Sequence, residues 1–104
     1  MKPIFLDVAQ SDFGEAMGYY DEQSFGLGFE LAEAVERALE RIEHYPEAWS
    51  PLSSRVRRCL VRRFPYGVIY ETRSDRLIIV AIQKLHREPE SWRSRVKRPV
   101  PLMS

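Results

Sequence analysis

The chain has 104 residues, of which 44% are hydrophobic and 30% are charged, and its net charge is +1. This length accommodates one compact domain without room for a second core, and an aromatic content of 12% argues against a disordered chain. No apolar run approaches the roughly 18 residues that cross a bilayer, and the first residues lack a secretory hydrophobic region. We therefore expect a cytoplasmic protein with one domain over residues 1–98 and a tail over residues 99–104.

The charges are unevenly distributed along the chain. Residues 1–54 hold most of the acids, whereas residues 55–98 hold most of the arginines and lysines. A basic face attracts phosphates or an acidic partner if the fold gathers these side chains. The single cysteine, Cys59, lies among apolar residues and is expected to be buried packing, so we predict neither a disulfide nor a metal site nor a cofactor.

The first half predicts an opening strand and a helical hairpin. Residues 4–8 form a short apolar stretch, and Asp12 with Glu15 resembles a capping box that starts a helix over residues 12 to about 23. Glycines at positions 26 and 28 mark the break between this helix and the next. A stripe of apolar residues from 29 to 45 then predicts a second, amphipathic helix that ends near His44, before a proline.

The second half predicts strands. β-Branched and aromatic residues occur in blocks over residues 56–64, 66–73 and 77–85, which favours a three-stranded antiparallel meander. A short helix is expected near residues 89–96. The predicted fold class is α+β, with an N-terminal strand, a helical hairpin, the meander and a short C-terminal helix.

Arginines on the first strand of the meander are candidate binding groups. Alternation along a strand places Arg57 and Arg63 on one face and Arg58 and Arg62 on the other. Both faces cannot bury guanidinium groups cheaply, so one set should reach solvent and bind phosphates or carboxylates. The alternative is an ordinary solvated edge strand whose charged side chains prevent it from pairing with another chain.

His86 and Arg87 close the last strand, where an imidazole beside a guanidinium could move a proton or hold a phosphate. The alternative is a histidine that only hydrogen-bonds a loop. Trp92 could stack on a base, but in a small domain a tryptophan more often anchors a terminal helix. No sequence motif of a common hydrolase or phosphate-binding loop occurs.

The segment over residues 56–70, VRRCLVRRFPYGVIY, resembles the central motif of the RelE/ParE toxins, in which an arginine-flanked strand runs into Phe-Pro-Tyr and a second strand. A second match lies near the C-terminus and resembles the closing motif of that family; it comprises His86, Arg87, Glu88, Pro89, Trp92 and Arg95. Tyr19 and Tyr20, followed by the glycine break, resemble the helical hairpin of the family, so the resemblance covers nearly the whole chain.

The resemblance implies the toxin of a type II toxin–antitoxin system. Its partner would be a cognate antitoxin that wraps around the toxin and covers apolar surface. Acidic residues of the antitoxin would pair with arginines of the toxin. RelE-like members cut messenger RNA in the ribosome, whereas ParE-like members are associated with DNA gyrase, and both arrest growth. The resemblance implies neither a membrane partner nor a small-molecule cofactor.

Two positions favour the ParE-like branch over the ribonuclease branch. Gly67 stands where an arginine is expected, and no tyrosine follows Tyr70. A ribonuclease remains the alternative, with a substitute catalytic set made of Arg57, Arg63, His86 and Arg87.

Residues for binding the target or the antitoxin are assigned on the remaining basic and aromatic positions, namely Arg58, Arg62, Tyr70, Lys84, Trp92 and Arg95. A third reading is a free-standing nucleic-acid-binding module, which would bind without a partner and with a steep salt dependence.

Overall fold

The computed structural model describes residues 2–86 and 91–96. In chain order the elements are β1 (Pro3–Phe5), α1 (Asp7–Gln23), α2 (Leu27–His44), β2 (Ser50–Pro51), β3 (Val56–Leu60), β4 (Tyr66–Arg73), β5 (Arg76–Lys84) and α3 (Arg93–Val96). The predicted α+β class and the order of its elements are confirmed, with the two-residue β2 added at an edge. No helix within the described ranges is long and apolar enough to span a membrane.

The strands form one sheet in the order β1-β5-β4-β3-β2. The meander β3-β4-β5 is antiparallel, and β1 pairs with β5 in parallel because the helical hairpin carries the chain back across the sheet. A bulge between Ile69 and Tyr70 shifts the register of β4 against β5. The last three strands thus form the centre of the sheet.

The two long helices pack on one face of the sheet. The fully buried stripe of α2 consists of Leu31, Val35, Ala38 and Ile42, and it meets Cys59 of β3. Burial raises the pKa of the Cys59 thiol, as expected for a packing residue. Phe29 and Tyr45, which the sequence places in the same stripe, are instead exposed at the two ends of α2.

The opposite face of the sheet carries a smaller apolar cluster. Val56, Ile69, Val80 and Ala81 are buried there together with Trp92, which precedes α3. Trp92 is 3% exposed, so it holds the start of α3 against the sheet. The part of this face that no helix covers lies beside that cluster.

The predicted capping box at Asp12 is wrong. Helix α1 begins at Asp7, and Leu6 precedes it without a side-chain cap. The Asp12 carboxylate instead accepts hydrogen bonds from the backbone N–H of Ile82 and from Arg95. A local spacing rule could not anticipate partners that lie 70 and 83 residues away.

The predicted strand over residues 56–64 is too long. Strand β3 ends at Leu60, and Arg63 has a left-handed φ of 76°. Such a conformation interrupts a strand. Arg63 therefore does not share a strand face with Arg57, and Arg62 does not share one with Arg58.

The predicted terminal helix over residues 89–96 corresponds in the structure to the shorter helix α3. Arg87 and the predicted tail over residues 99–104 lie outside the described residues.

Candidate functional site

A groove on the face opposite the helices contains Arg58 and is called the Arg58 groove below. It has a volume of about 380 Å³ and is lined by Arg58, Leu52, Ile69, Lys84, His86 and Trp92, among others. The Arg58 side chain runs from β3 across Gly67 of β4. A Cβ atom at position 67 would lie 2.8 Å from Cδ of Arg58 and 2.9 Å from its Cγ. Because real Cβ atoms do not approach so closely, the glycine makes room for the arginine.

Arg58 differs from the other half-buried arginines of the described chain. Its Nε atom is buried without a hydrogen-bond partner among the described residues, and no carboxylate of those residues forms an ion pair with its guanidinium. The other three half-buried arginines each donate to an oxygen of the protein: Arg41 to Leu60 O, Arg57 to Trp49 O and Arg95 to Asp12. Arg58 is therefore the one half-buried arginine for which the described residues provide no oxygen acceptor.

Two further basic residues line the Arg58 groove. His86 lies exposed in the turn after β5. Lys84 also lines it, but its ammonium group lies 5.0 Å from the centre of the Tyr19 ring, towards a second cleft between α1 and β5. The groove thus has one half-buried guanidinium, Arg58, and two further basic residues, Lys84 and His86, in its lining.

The structure does not bring together the described part of the predicted ribonuclease set. Arg57 lies on the helix-bearing face and donates to the Trp49 carbonyl oxygen at 2.8 Å. Arg63 pairs with Glu30 of α2 at 2.9 Å, in an exposed ion pair. His86 lines the groove on the opposite face. Arg87, the fourth residue of the set, lies outside the described residues.

Three of the predicted binding residues are wholly or partly buried. Tyr70 is fully buried and its hydroxyl donates to the Pro46 carbonyl oxygen at 2.5 Å, while burial raises the pKa of Tyr70 to about 12. Trp92 is buried in the small cluster, and Arg95 is held by Asp12. In this structure Tyr70 and Trp92 are buried, whereas the Arg95 side chain is 27% exposed and lines the cleft between α1 and β5.

Arg62 is exposed and lies in a third cleft, of about 390 Å³, at the end of α2. Arg37 and Arg41 line this cleft too, with Tyr45 and Trp49. The sequence missed these two arginines because they occupy the solvent side of an amphipathic helix, and only the tertiary structure places them beside Arg62. Within the described ranges, no group of three or more His, Cys, Asp or Glu residues is arranged to hold a metal ion.

Comparison with known proteins identifies the family. Residues 4–89 match the family model described as the ParE toxin of the type II toxin–antitoxin system, parDE. The fold is similar to a solved structure described as the chromosomal ParDE TA system from P. aeruginosa, with a TM-score of 0.62 and 14% identity over 83% of this chain and 97% of that chain. A search of curated proteins found no significant match. At 14% identity the structural similarity supports the fold alone. The family model matches most of the chain and therefore supports membership of the family. This chain therefore belongs to the ParE toxin family of type II toxin–antitoxin systems.

Proposed function

We propose that this protein arrests growth by binding DNA gyrase in the cytoplasm and is neutralised by a cognate antitoxin. The observation that carries the proposal is the match to the ParE toxin family over residues 4–89. The proposed domain covers residues 1–98, followed by a tail.

The surface supports a toxin that works with a protein partner. Phe25 is fully exposed and Phe29 is 67% exposed, and both lie where α1 turns into α2. Exposed aromatic residues that are close together are typical of protein–protein contact sites. We propose that the antitoxin covers this pair, with Arg58, Arg62 and Lys84 as further contacts to the antitoxin or the target.

The ribonuclease alternative has less support from the geometry. Ribose activation and phosphate stabilisation need several basic groups around one phosphate. Arg57 and His86 lie on opposite faces of the sheet, and Arg63 is paired with Glu30. Binding without nuclease chemistry is therefore the function that this arrangement favours.

Two assays with the purified full-length toxin separate the two activities. In the first, gyrase supercoils a relaxed plasmid with and without toxin. In the second, a translating extract receives the toxin and the message is mapped for cleavage. We expect blocked supercoiling and an intact message. Position-specific cleavage that is abolished by Arg87→Ala, with normal supercoiling, would instead establish the ribonuclease.

Neutralisation is tested in growing cells. Expression of the toxin alone should arrest growth, and co-expression of the product of the adjacent reading frame should restore it and yield a complex on size-exclusion chromatography. Growth arrest that the neighbouring product does not relieve, with no complex formed, would argue against the proposed antitoxin. An absence of any arrest would argue against the toxin activity itself.

A further inference from the structure

The cleft at the C-terminal end of α2 is called the Arg62 cleft below. We propose that it binds a nucleotide, with the phosphate on Arg37, Arg41 and Arg62 and the base against the ring of Tyr45. The nucleotide is either free or part of a single strand, since both sources present the same phosphate and base. The site goes beyond the proposed function, because neither gyrase binding nor neutralisation by an antitoxin requires a nucleotide.

Three guanidinium groups converge on this cleft from two segments of the chain. Arg37 and Arg41 lie about one turn apart on α2, and Arg62 lies in the loop after β3. Burial raises the pKa of the Cys59 thiol, and the charges of Arg41 and Arg62 oppose that rise, so both guanidinium groups lie near this sulfur atom. Like charges placed so closely repel one another, and a bound anion removes the repulsion.

The charge of the cleft is not balanced by its own walls. Glu40 is the one acid among the lining residues, and it forms no ion pair with any of the three arginines. The acids outside the described ranges are Glu88 and Glu90, and their described neighbours in sequence, His86 and Ser91, line other clefts. A phosphate, with up to about two negative charges and three oxygens, can accept from several guanidinium groups at once.

Arg41 is the rigid member of the set. It is half-buried and donates to the Leu60 carbonyl oxygen at 2.8 Å, which uses one of the five donors of its guanidinium. Arg37 and Arg62 are exposed, and among the described residues neither side chain forms a hydrogen bond or an ion pair. One fixed cation and two exposed ones can therefore surround a phosphate that enters from solvent.

The carbonyl groups at the end of α2 already have donors from the protein. A helix C-terminus carries partial negative charge on its last carbonyl groups, which would disfavour an anion. The backbone N–H of Tyr45 and the indole N–H of Trp49 donate to the Arg41 carbonyl oxygen, at 3.0 and 3.4 Å. His44 Nδ1 donates to the Glu40 carbonyl oxygen at 2.8 Å. The arginines therefore determine the charge of the cleft.

An exposed aromatic ring beside the arginines favours a nucleotide over a carboxylate side chain. Tyr45 is 66% exposed, and Trp49 packs against the main core as the inner wall of the cleft. Aromatic rings stack on bases while basic groups hold the phosphates in single-strand binding proteins. A glutamate or aspartate has no ring to place on Tyr45. The cleft has a volume of about 390 Å³, within the range of about 300–1,000 Å³ that is typical of small-molecule sites.

The test is a titration of the isotope-labelled full-length toxin, followed by nuclear magnetic resonance at the indole N–H of Trp49 and the backbone amide of Tyr45. The probes are adenosine monophosphate, adenosine without a phosphate, and ribose phosphate without a base. A single-stranded oligodeoxyadenylate represents the strand, and a blocked peptide that alternates leucine and glutamate represents an acidic protein segment.

The same titrations use the variants Arg62→Gln and Tyr45→Ser. The control is Arg76→Gln, which removes an exposed arginine at the opposite end of the sheet and gives the same net charge as Arg62→Gln. All three side chains are exposed, so the variants should fold like the parent, which their amide spectra verify.

We expect adenosine monophosphate to bind at least about tenfold more tightly than adenosine, because the charge-assisted pairs require the phosphate. It should bind at least about fivefold more tightly than ribose phosphate, because the stacked base is absent there. Arg62→Gln should weaken the binding of adenosine monophosphate but not of adenosine. Tyr45→Ser should reduce the affinity to that of ribose phosphate, and Arg76→Gln should leave every affinity unchanged.

The source of the nucleotide follows from the same titrations. Tighter binding of the oligodeoxyadenylate than of adenosine monophosphate would identify a strand, and binding that is no tighter would identify a free nucleotide. Equal binding of adenosine monophosphate and adenosine, tighter binding of the glutamate peptide, or unchanged affinity in Arg62→Gln would overturn the proposal. Since neither gyrase nor antitoxin is present, failure here is separate from failure of the proposed function.

Discussion

Arg95 of α3 donates hydrogen bonds to both carboxylate oxygens of Asp12 in α1, at 2.7 and 3.3 Å. The same guanidinium donates to the Val80 carbonyl oxygen, and Asp12 also accepts from the backbone N–H of Ile82. Two charged side chains thus join the first helix, the last strand and the last helix. A helix of four residues has little stability of its own, so this contact and Trp92 hold α3 in place.

Replacing Asp12 with asparagine should lower the free energy of unfolding by about 1–3 kcal/mol, because a largely buried arginine loses its charged partner. Urea unfolding followed by tryptophan fluorescence measures the change. The matched control is Glu30→Gln, which removes the exposed ion pair with Arg63 and should change stability by less than about 1 kcal/mol. Equal effects of the two substitutions would contradict the anchoring role of Asp12.

Gly28→Ala should destabilise the protein by about 1–3 kcal/mol, since a Cβ atom there would lie 2.5 Å from the Met17 carbonyl oxygen of α1. That oxygen belongs to the backbone and cannot move aside cheaply. Gly18→Ala is the control: its Cβ atom would meet nothing within 4 Å, and alanine should stabilise α1 by up to about 1 kcal/mol. Thermal unfolding of both variants measures whether the two substitutions change the stability in opposite directions. A Gly28→Ala protein as stable as the parent would show that the two helices can separate without cost.

The stability of the protein should fall as the pH rises from about 10 to about 12, through the ionisation of Tyr70. Burial raises the pKa of this phenol to about 12 from 10.0, so the folded protein keeps a proton that the unfolded chain has lost. The contribution is fully present below pH 10 and disappears as the pH passes through the folded pKa. Urea unfolding across this range, compared with Tyr70→Phe, isolates the effect. A stability difference between the two proteins that does not change with pH would refute it.

Substitution of both Phe25 and Phe29 by serine should weaken antitoxin binding at least about tenfold, because exposed aromatic anchors contribute much of the affinity of a protein interface. Stability should change little, since neither ring is buried in the isolated chain. Calorimetric titration with the product of the adjacent reading frame measures the affinity. Tyr45→Ser, at the other end of α2, serves as the matched control. If the double variant binds the antitoxin with unchanged affinity, the antitoxin binds a different surface of the toxin.

The sequence by itself determined the class and order of the main elements. The stripe that buries Leu31, Val35 and Ile42 follows directly from the helical period, and the central strands follow from their β-branched and aromatic blocks. The central motif around residues 56–70 indicated the toxin family. These features are local, so a pattern within one segment was sufficient to predict them.

Contacts between distant segments were decided by the tertiary structure alone. Asp12 resembles a helix cap in sequence, but it binds Arg95 because the fold brings α3 against α1. Gly67 reads in sequence as the loss of a cation, whereas in the fold it admits the side chain of Arg58 from the neighbouring strand. The left-handed turn at Arg63 likewise separated arginines that strand alternation had grouped. The physical reason is that burial and charge pairing depend on neighbours across the sheet, which spacing along the chain does not specify.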